Sequence, residues 1–213
     1  MGILIALEGL DGAGKRTLVD KVVAHLEAAD LKVAVRAFPR YGESVHADLA
    51  AEALRGGHGD LAQSVHGMGL MFALDRGGFA DELHNLLGDN DIVLLDRYVA
   101  SNAAYGAARL RQGADGDYVR WVHDLEFGRL GLPRPTLQLL LDVPVELARS
   151  RARAREAQDA TRELDAYERD GDLQTRTGQV YRELAAANWV STWRVLAPDI
   201  DPAALAADLA QWL

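Results

Sequence analysis

Gly9-Leu-Asp-Gly-Ala-Gly-Lys15-Arg-Thr17 decides how this chain is read. It follows an apolar run at 3–7 and opens a helical pattern over roughly 15–29. The spacing Gly-x4-Gly-Lys between a strand and a helix is that of a Walker A phosphate loop. Glycines let successive backbone N–H groups turn inward around phosphate oxygens, and the helix that follows points its positive end at the same anion. Lys15 adds a cation on a flexible stem that can follow a phosphoryl group in transfer. Gly9, Gly12, Ala13, Gly14, Lys15, Arg16 and Thr17 are therefore the candidate nucleotide-phosphate residues. The loop departs from the usual pattern once. Arg16 stands where a Ser or Thr commonly binds magnesium, and the hydroxyl comes one residue later, at Thr17. A metal ion here would be held mainly by phosphates and by carboxylates elsewhere.

Outward from the loop, short apolar runs at 33–38, 92–95, 137–141 and 193–196 read as further strands. Two of the five, 3–7 and 92–95, are unbroken apolar stretches, as expected where helices cover both faces of a parallel sheet. Helical patterns occupy roughly 44–54, 60–88, 98–112, 116–129, 144–156, 163–187 and 202–211, with Asp60 and Asp201-Pro202 as start signals. The alternation predicts one α/β domain over 1–213: a five-stranded parallel sheet between helical layers. A chain of 213 residues is long enough to bury roughly 70% of its unfolded surface. Its net charge of −9 argues against a generic grip on nucleic acid, while leaving room for a small anion in a locally basic pocket. The lack of cysteine excludes disulfide frameworks, thiolate metal sites and cysteine nucleophiles, and fits a reducing compartment. No apolar run approaches the roughly 20 residues that span a bilayer. The apolar start has no basic leader and runs straight into the loop, so it reads as a core strand. The expectation is a cytoplasmic protein with neither membrane nor nucleic-acid partner.

The run Ile92-Val-Leu-Leu-Asp96 ends a strand in a carboxylate. A carboxylate at the carboxyl edge of the sheet can organise water, metal or a phosphate-binding arginine; it can also simply cap the next helix. On that helix Arg97, Ser101, Asn102 and Tyr105 fall within an arc of about 140° at the helical period. Alanines at 100, 103, 104, 107 and 108 surround them. A packing face would be apolar, whereas this one carries a cation, a hydroxyl, an amide and a phenol and suits a polar, planar ligand that bears a phosphate.

Asp96-Arg-Tyr-Val-Ala-Ser101-Asn-Ala-Ala-Tyr105 resembles the signature of the thymidylate kinase family of P-loop nucleoside monophosphate kinases. Phe38-Pro-Arg-Tyr41-Gly, Phe72-Ala-Leu-Asp75-Arg76 and the loop at 9–17 agree with it, in the family's order across nearly the whole chain. The resemblance implies a three-layer P-loop kinase fold, a homodimer, Mg²⁺ with ATP as co-substrate, and the reaction ATP + dTMP → ADP + dTDP in dTTP biosynthesis. It implies that Phe72 stacks on the thymine ring and that Arg76 bonds the base's carbonyl edge. Their i, i+4 spacing independently puts them on one face, though Phe72 alone reads equally as core. By the same resemblance Arg97 holds the dTMP phosphate, where a bidentate donor suits a dianion. Tyr105 lies against the sugar, Ser101 belongs to the same motif, Asn102 contacts the base, and Phe38 and Tyr41 border the acceptor. Tyr41 also reads as a surface tyrosine. Asp11 sits near the sugar and the acceptor phosphate, a position that needs Mg²⁺ or Arg97 as a counter-charge.

Arg149, Arg151, Arg153 and Arg155 alternate through an Arg- and Ala-rich stretch. Such a run is ordinarily a solvated face; in phosphate kinases it is a lid, here at about 149–161, that delivers cations and excludes water. Family members carry an extra catalytic arginine either in the phosphate loop, just after its acidic residue, or in the lid. That loop slot is Gly12, so the lid supplies the cation, from Arg155 first and Arg151 second, with Arg16 a further contributor. Beyond it Asp165, Tyr167 and Glu168 resemble positions that close over the substrate, and Glu168 with Asp11 is the candidate magnesium pair; a charged exposed helix is the alternative. The catalytic set is Lys15, Arg97, Arg155, Asp11 and Arg151. Two rivals stand beside this reading. A nucleoside kinase would want an acidic base after the second strand, where Phe38-Pro-Arg-Tyr41 stands. A GTP-dependent switch would carry Asn-Lys-x-Asp, a string the sequence lacks.

Overall fold

The computed structural model describes residues 2–158 and 166–213, and for 155–158, 168 and 169 the backbone alone. β1 (Ile3–Glu8) leads through the loop into α1 (Lys15–Glu27). There follow β2 (Val33–Ala37), α2 (Val45–Leu54), a 3-10 turn (Leu61–Gln63), α3 (Val65–Gly77), α4 (Ala80–Asp89) and β3 (Ile92–Asp96). Next come α5 (Val99–Arg109), α6 (Asp117–His123), a π-helical turn (Asp124–Arg129) and β4 (Leu137–Leu141). The chain continues through α7 (Val145–Gln158), α8 (Ala166–Arg169), α9 (Gly171–Ala186), β5 (Thr192–Leu196) and α10 (Pro202–Ala210).

The sheet runs β2-β3-β1-β4-β5, and every pair is parallel. The three inner strands are almost wholly buried, while the edge strands β2 and β5 are partly exposed. This is why the inner strands read as nearly continuous apolar runs, with Gln138 of β4 the one polar residue inside them. After β1 the chain builds β2 and β3 on one side, then β4 and β5 on the other. That reversal opens a crevice at the carboxyl ends of the strands, where open α/β sheets bind ligands. Leu7 pairs with Asp96, and Asp96 with Ala37, so three strand ends are level at that edge.

The five predicted strands lie within a residue of those observed; the helices differ more. The expected helix over 60–88 is broken. Asp60 begins only a 3-10 turn and makes no side-chain cap, whereas Ser64, in extended backbone, accepts from the Gly67 N–H and starts α3. α3 ends at Gly77-Gly78, and Phe79 turns into the core before α4 begins. The expected helix at 163–187 is interrupted by Asp170, whose extended backbone and carboxylate cap α9 through the Leu173 N–H. Asp201 and Pro202 do start a helix, with the carboxylate accepting from the Ala203 N–H. No helix among the described residues is long and apolar enough to cross a membrane.

Candidate active site

The loop at 9–17 closes around the α1 N-terminus. Gly14 is its N-cap, with φ of 100°, a left-handed conformation that costs a residue with a Cβ and not glycine. Gly12 has φ of 79°, and a Cβ there would lie 2.1 Å from the Ala148 carbonyl oxygen of α7. No side chain fits at position 12, so a loop arginine in that slot is sterically excluded. The Lys15 ammonium is buried and donates to the carbonyls of Gly9 (3.1 Å) and Leu10 (3.0 Å). Burial and the nearby Arg97 cation pull its pKa down to about 8, against the carboxylates of Asp96, Asp11 and Glu8. The Arg151 guanidinium reaches over the loop and donates to the Ala13 carbonyl at 3.1 Å. Arg16 extends outward to Asp20 at 3.0 Å on the exposed side of α1.

Opposite the loop stands the N-terminal end of α5. Arg97 has φ of 69°, a conformation that costs a non-glycine residue about 1–3 kcal/mol and is kept only where its surroundings over-determine it. Here they do. Its N–H donates to the Leu7 carbonyl at 2.9 Å, and its guanidinium donates to Asp11 (2.5 Å), Ser101 (3.0 Å), Tyr181 (3.3 Å) and Tyr105 (3.5 Å). The second Asp11 oxygen accepts from the Tyr105 hydroxyl at 2.6 Å. Burial opposes the Asp11 charge, but Arg97 and Lys15 outweigh it and hold the carboxyl at about 2. Burial, then the Asp11 carboxylate, pushes the Tyr105 phenol well up, so it stays a donor. Beneath lies Glu8, fully buried, accepting from Ser101 (2.6 Å), the Tyr98 N–H (2.9 Å) and Tyr181 (3.2 Å). Burial raises its pKa, partly offset by the Ser101 hydrogen bond and the Arg97 charge. The Ser101 hydroxyl is thus a strut between Glu8 and Arg97. Asp96 has one buried oxygen without a hydrogen-bond partner.

The far end of the cavity is built on α3. Arg76 is buried and forms a two-pronged ion pair with Glu126 of the π-helical turn, at 2.5 and 2.7 Å. The Asn102 amide donates to the same carboxylate (2.8 Å) and to the Gly69 carbonyl (3.0 Å), and its oxygen accepts from Tyr118 (3.1 Å). Phe72 is half-buried on the same helix and packs with Ala50, Ala53, Leu54 and Met68. Phe38 packs edge-on to Phe79 at 5.9 Å and borders the cavity with its neighbour Pro39. Tyr41 is half exposed at the mouth. Tyr167 stacks on Tyr105 at 6.1 Å, and its hydroxyl accepts from Arg109.

These parts line one cavity of about 790 Å³, within the size range of small-molecule sites. It takes in Asp11, Gly12, Gly14, Lys15, Arg16 and Thr17 at one end and Phe72, Arg76, Asn102 and Tyr105 at the other, with Arg97 and Ser101 between. The loop and the polar face of α5 therefore meet across a single cleft. Asp165 lies outside the described residues, as do the side chains of Arg155 and Glu168. Four residues at or beneath the site went unread. Arg109 was legible, since it continues the 97–105 face one turn on; it also donates to the Ala62 and Gln63 carbonyls. Glu8, Glu126 and Tyr181 carried no local signal.

The family model described as thymidylate kinase matches residues 7–197. Proteins of two Mycobacterium tuberculosis strains, each described as thymidylate kinase, are 57% identical over 208 residues, covering 98% of this chain and 97% of theirs. A Saccharolobus solfataricus protein described as probable thymidylate kinase 1 is 35% identical over 153 residues, 70% of this chain and 69% of its own.

Proposed function

The chain belongs to the thymidylate kinase family, and from that premise we infer that its cavity holds ATP and dTMP end to end. The chain is a nucleoside monophosphate kinase: the γ-phosphoryl group of ATP passes to a dTMP phosphate oxygen, giving ADP and dTDP. One observation carries the assignment of roles to residues. A phosphate loop and a phosphate-binding guanidinium, Arg97, line the same cavity, with a floor of Arg76 and Asn102 beyond them where a base would lie.

The acceptor oxygen is anionic near neutral pH, so the step needs no general base. As its bond to the γ-phosphorus forms, the bond to the ADP oxygen breaks and the electron pair leaves with ADP. Catalysis is then positioning and charge neutralisation. Lys15, protonated below about 8, exchanges its loop carbonyls for phosphate oxygens. Arg97, already held by Asp11, Ser101 and Tyr105, receives the dTMP phosphate without having to be ordered first. Arg151, and Arg155 four residues on, supply lid cations across the transferring group; its contact with the Ala13 carbonyl supports Arg151 in that role. Phe72, Tyr105 and Tyr167 flank base and sugar, and Phe38 and Tyr41 border the acceptor. Mg²⁺, when bound, would supply charge neutralisation for the donor phosphates. It takes oxygen ligands and relies on one or two carboxylates besides phosphate and water. Among the described residues Asp11 and Asp96 are the carboxylates that line the cavity, and the buried, unpartnered Asp96 oxygen fits that use; Glu168 belongs to the same proposal.

A single kinase domain over 1–213 with a lid at about 149–161, a cytoplasmic location and a homodimer complete the reading. The last two rest on the family resemblance. A sedimenting species of about twice the 23.2 kDa chain mass is the expected outcome. The functional test is a panel of dTMP, dUMP, UMP, CMP and AMP with ATP and Mg²⁺. The reading expects turnover of dTMP far above that of CMP and AMP; equal turnover of all five would overturn it.

A further inference from the structure

We propose that Glu126 is the positioning residue that sets the hydrogen-bond polarity of the base end, so that the cavity accepts a thymine- or uracil-type imide edge and rejects a cytosine edge. The proposal rests on the assignment of that end of the cavity to the base. Glu126 is fully buried and does not itself line the cavity; it acts through two residues that do. Its two oxygens take the Nε and Nη2 donors of Arg76. Among the described residues Arg76 Nη1 has no acceptor, and it remains as the donor Arg76 can offer to the space it lines. A guanidinium has donors only, so this position calls for an acceptor on the ligand.

Asn102 is the other reader, and an amide can face either way. Here both Nδ2 donors are claimed, by Glu126 at 2.8 Å and by the Gly69 carbonyl at 3.0 Å, and Oδ1 accepts from Tyr118 at 3.1 Å. Reversing the amide would set its oxygen against a carboxylate and a carbonyl, two acceptors facing an acceptor. The carboxylate therefore forces Oδ1 to be the group left for the ligand, with one lone pair free. Arg76 and Asn102 then present a donor beside an acceptor. A pyrimidine with a ring carbonyl next to a ring N–H matches that pair. Cytosine, with an amino group next to an unprotonated ring nitrogen, opposes it at both points.

Replacing the carboxylate by an amide tests this with almost no change of shape. Glu126→Gln leaves one acceptor where three donors converge: its N–H₂ faces either Arg76 Nε or both Arg76 Nη2 and the Asn102 amide, and the second orientation removes the carboxylate's hold on the Asn102 amide. In the folded variant, the ratio of kcat/KM for dTMP over dCMP is expected to fall by about 100-fold, on the scale of a site that loses a paired hydrogen bond and leaves a polar group opposed. KM for dTMP should rise, with KM for ATP within about twofold of the parent value, because the phosphate loop shares no partner with Glu126. A ratio unchanged within about twofold, or an equal loss for dTMP and dCMP, would overturn the proposal, since a purely structural glutamate would move both substrates together. Should Glu126→Gln yield no folded protein by circular dichroism, Tyr118→Phe carries the test. It removes only the hydroxyl that Oδ1 accepts, leaves both Nδ2 bonds in place, and is expected to keep the ratio within about twofold. A tenfold loss there would put control in Tyr118 and overturn the proposal. Failure of the underlying reading shows separately: the parent protein would then not prefer dTMP over dCMP at all.

Discussion

The two ends of the cavity use different materials. At the end proposed for phosphate the groups on offer are mostly the backbone N–H groups of the loop, and among the described residues there the buried cation Lys15 is parked on carbonyls five and six residues away. At the base end they are side chains held by other side chains: Arg76 on Glu126, 50 residues on, and Asn102 on Gly69, 33 residues back. Between them Arg97 belongs to both, pinned to Asp11 across 86 residues. A short loop can carry phosphate recognition because every phosphate is alike. Reading a base edge requires a fixed donor–acceptor order, and only a network drawn from several elements fixes it.

The comparison can be broken at its strongest point first. Lys15→Met should lower kcat by about 1,000-fold, the scale of losing a preorganised charge at the transferring group, with the fold intact by circular dichroism. A loss under tenfold would mean the loop amides suffice. Arg97→Ala should raise KM for dTMP by about 10- to 100-fold, as expected for hydrogen bonds to a charged group, and leave KM for ATP nearly unchanged. The reverse pattern would move Arg97 to the donor end. Gly106→Ala sharpens the other side. Its Cβ would sit 2.0 Å from the Tyr118 ring, so overpacking should cost about 1–3 kcal/mol, read as a lower thermal midpoint. Lys15 also gives the phosphate end a pH signature. Its pKa is lowered to about 8, so the charged form that binds phosphate is present below that pH and lost above it. ATP affinity in the dTMP-free protein should therefore weaken by up to about tenfold per pH unit above 8. The smallest effect belongs to Arg16→Ala. An exposed pair with Asp20 contributes about 0.2–1 kcal/mol at most, and kcat should change by less than about threefold.

Legibility followed the same division. The loop, the five strands and the polar face at 97–105 could be read because each is a local pattern with a fixed spacing. The breaks at Gly78-Phe79 and Asp170 were hidden, since both flanks keep helical periodicity while the break serves to turn Phe79 and Leu173 into the core. Glu126, Glu8 and Tyr181 were hidden for a stronger reason. Glu8 meets Ser101 and Tyr181 across 93 and 173 residues, and nothing in a single sequence announces such a pairing. Arg97's left-handed backbone was equally invisible, because strain imposed by packing leaves no residue-type signature.

The central claim is that donor and acceptor anions lie end to end in one cleft. A single molecule joining adenosine and thymidine through a chain of phosphates measures this most directly by calorimetry and competition. It should displace both ATP and dTMP and bind about 100-fold or more tighter than either, the gain of an intramolecular second contact. Binding no tighter than ATP, with dTMP still able to bind alongside, would contradict the account.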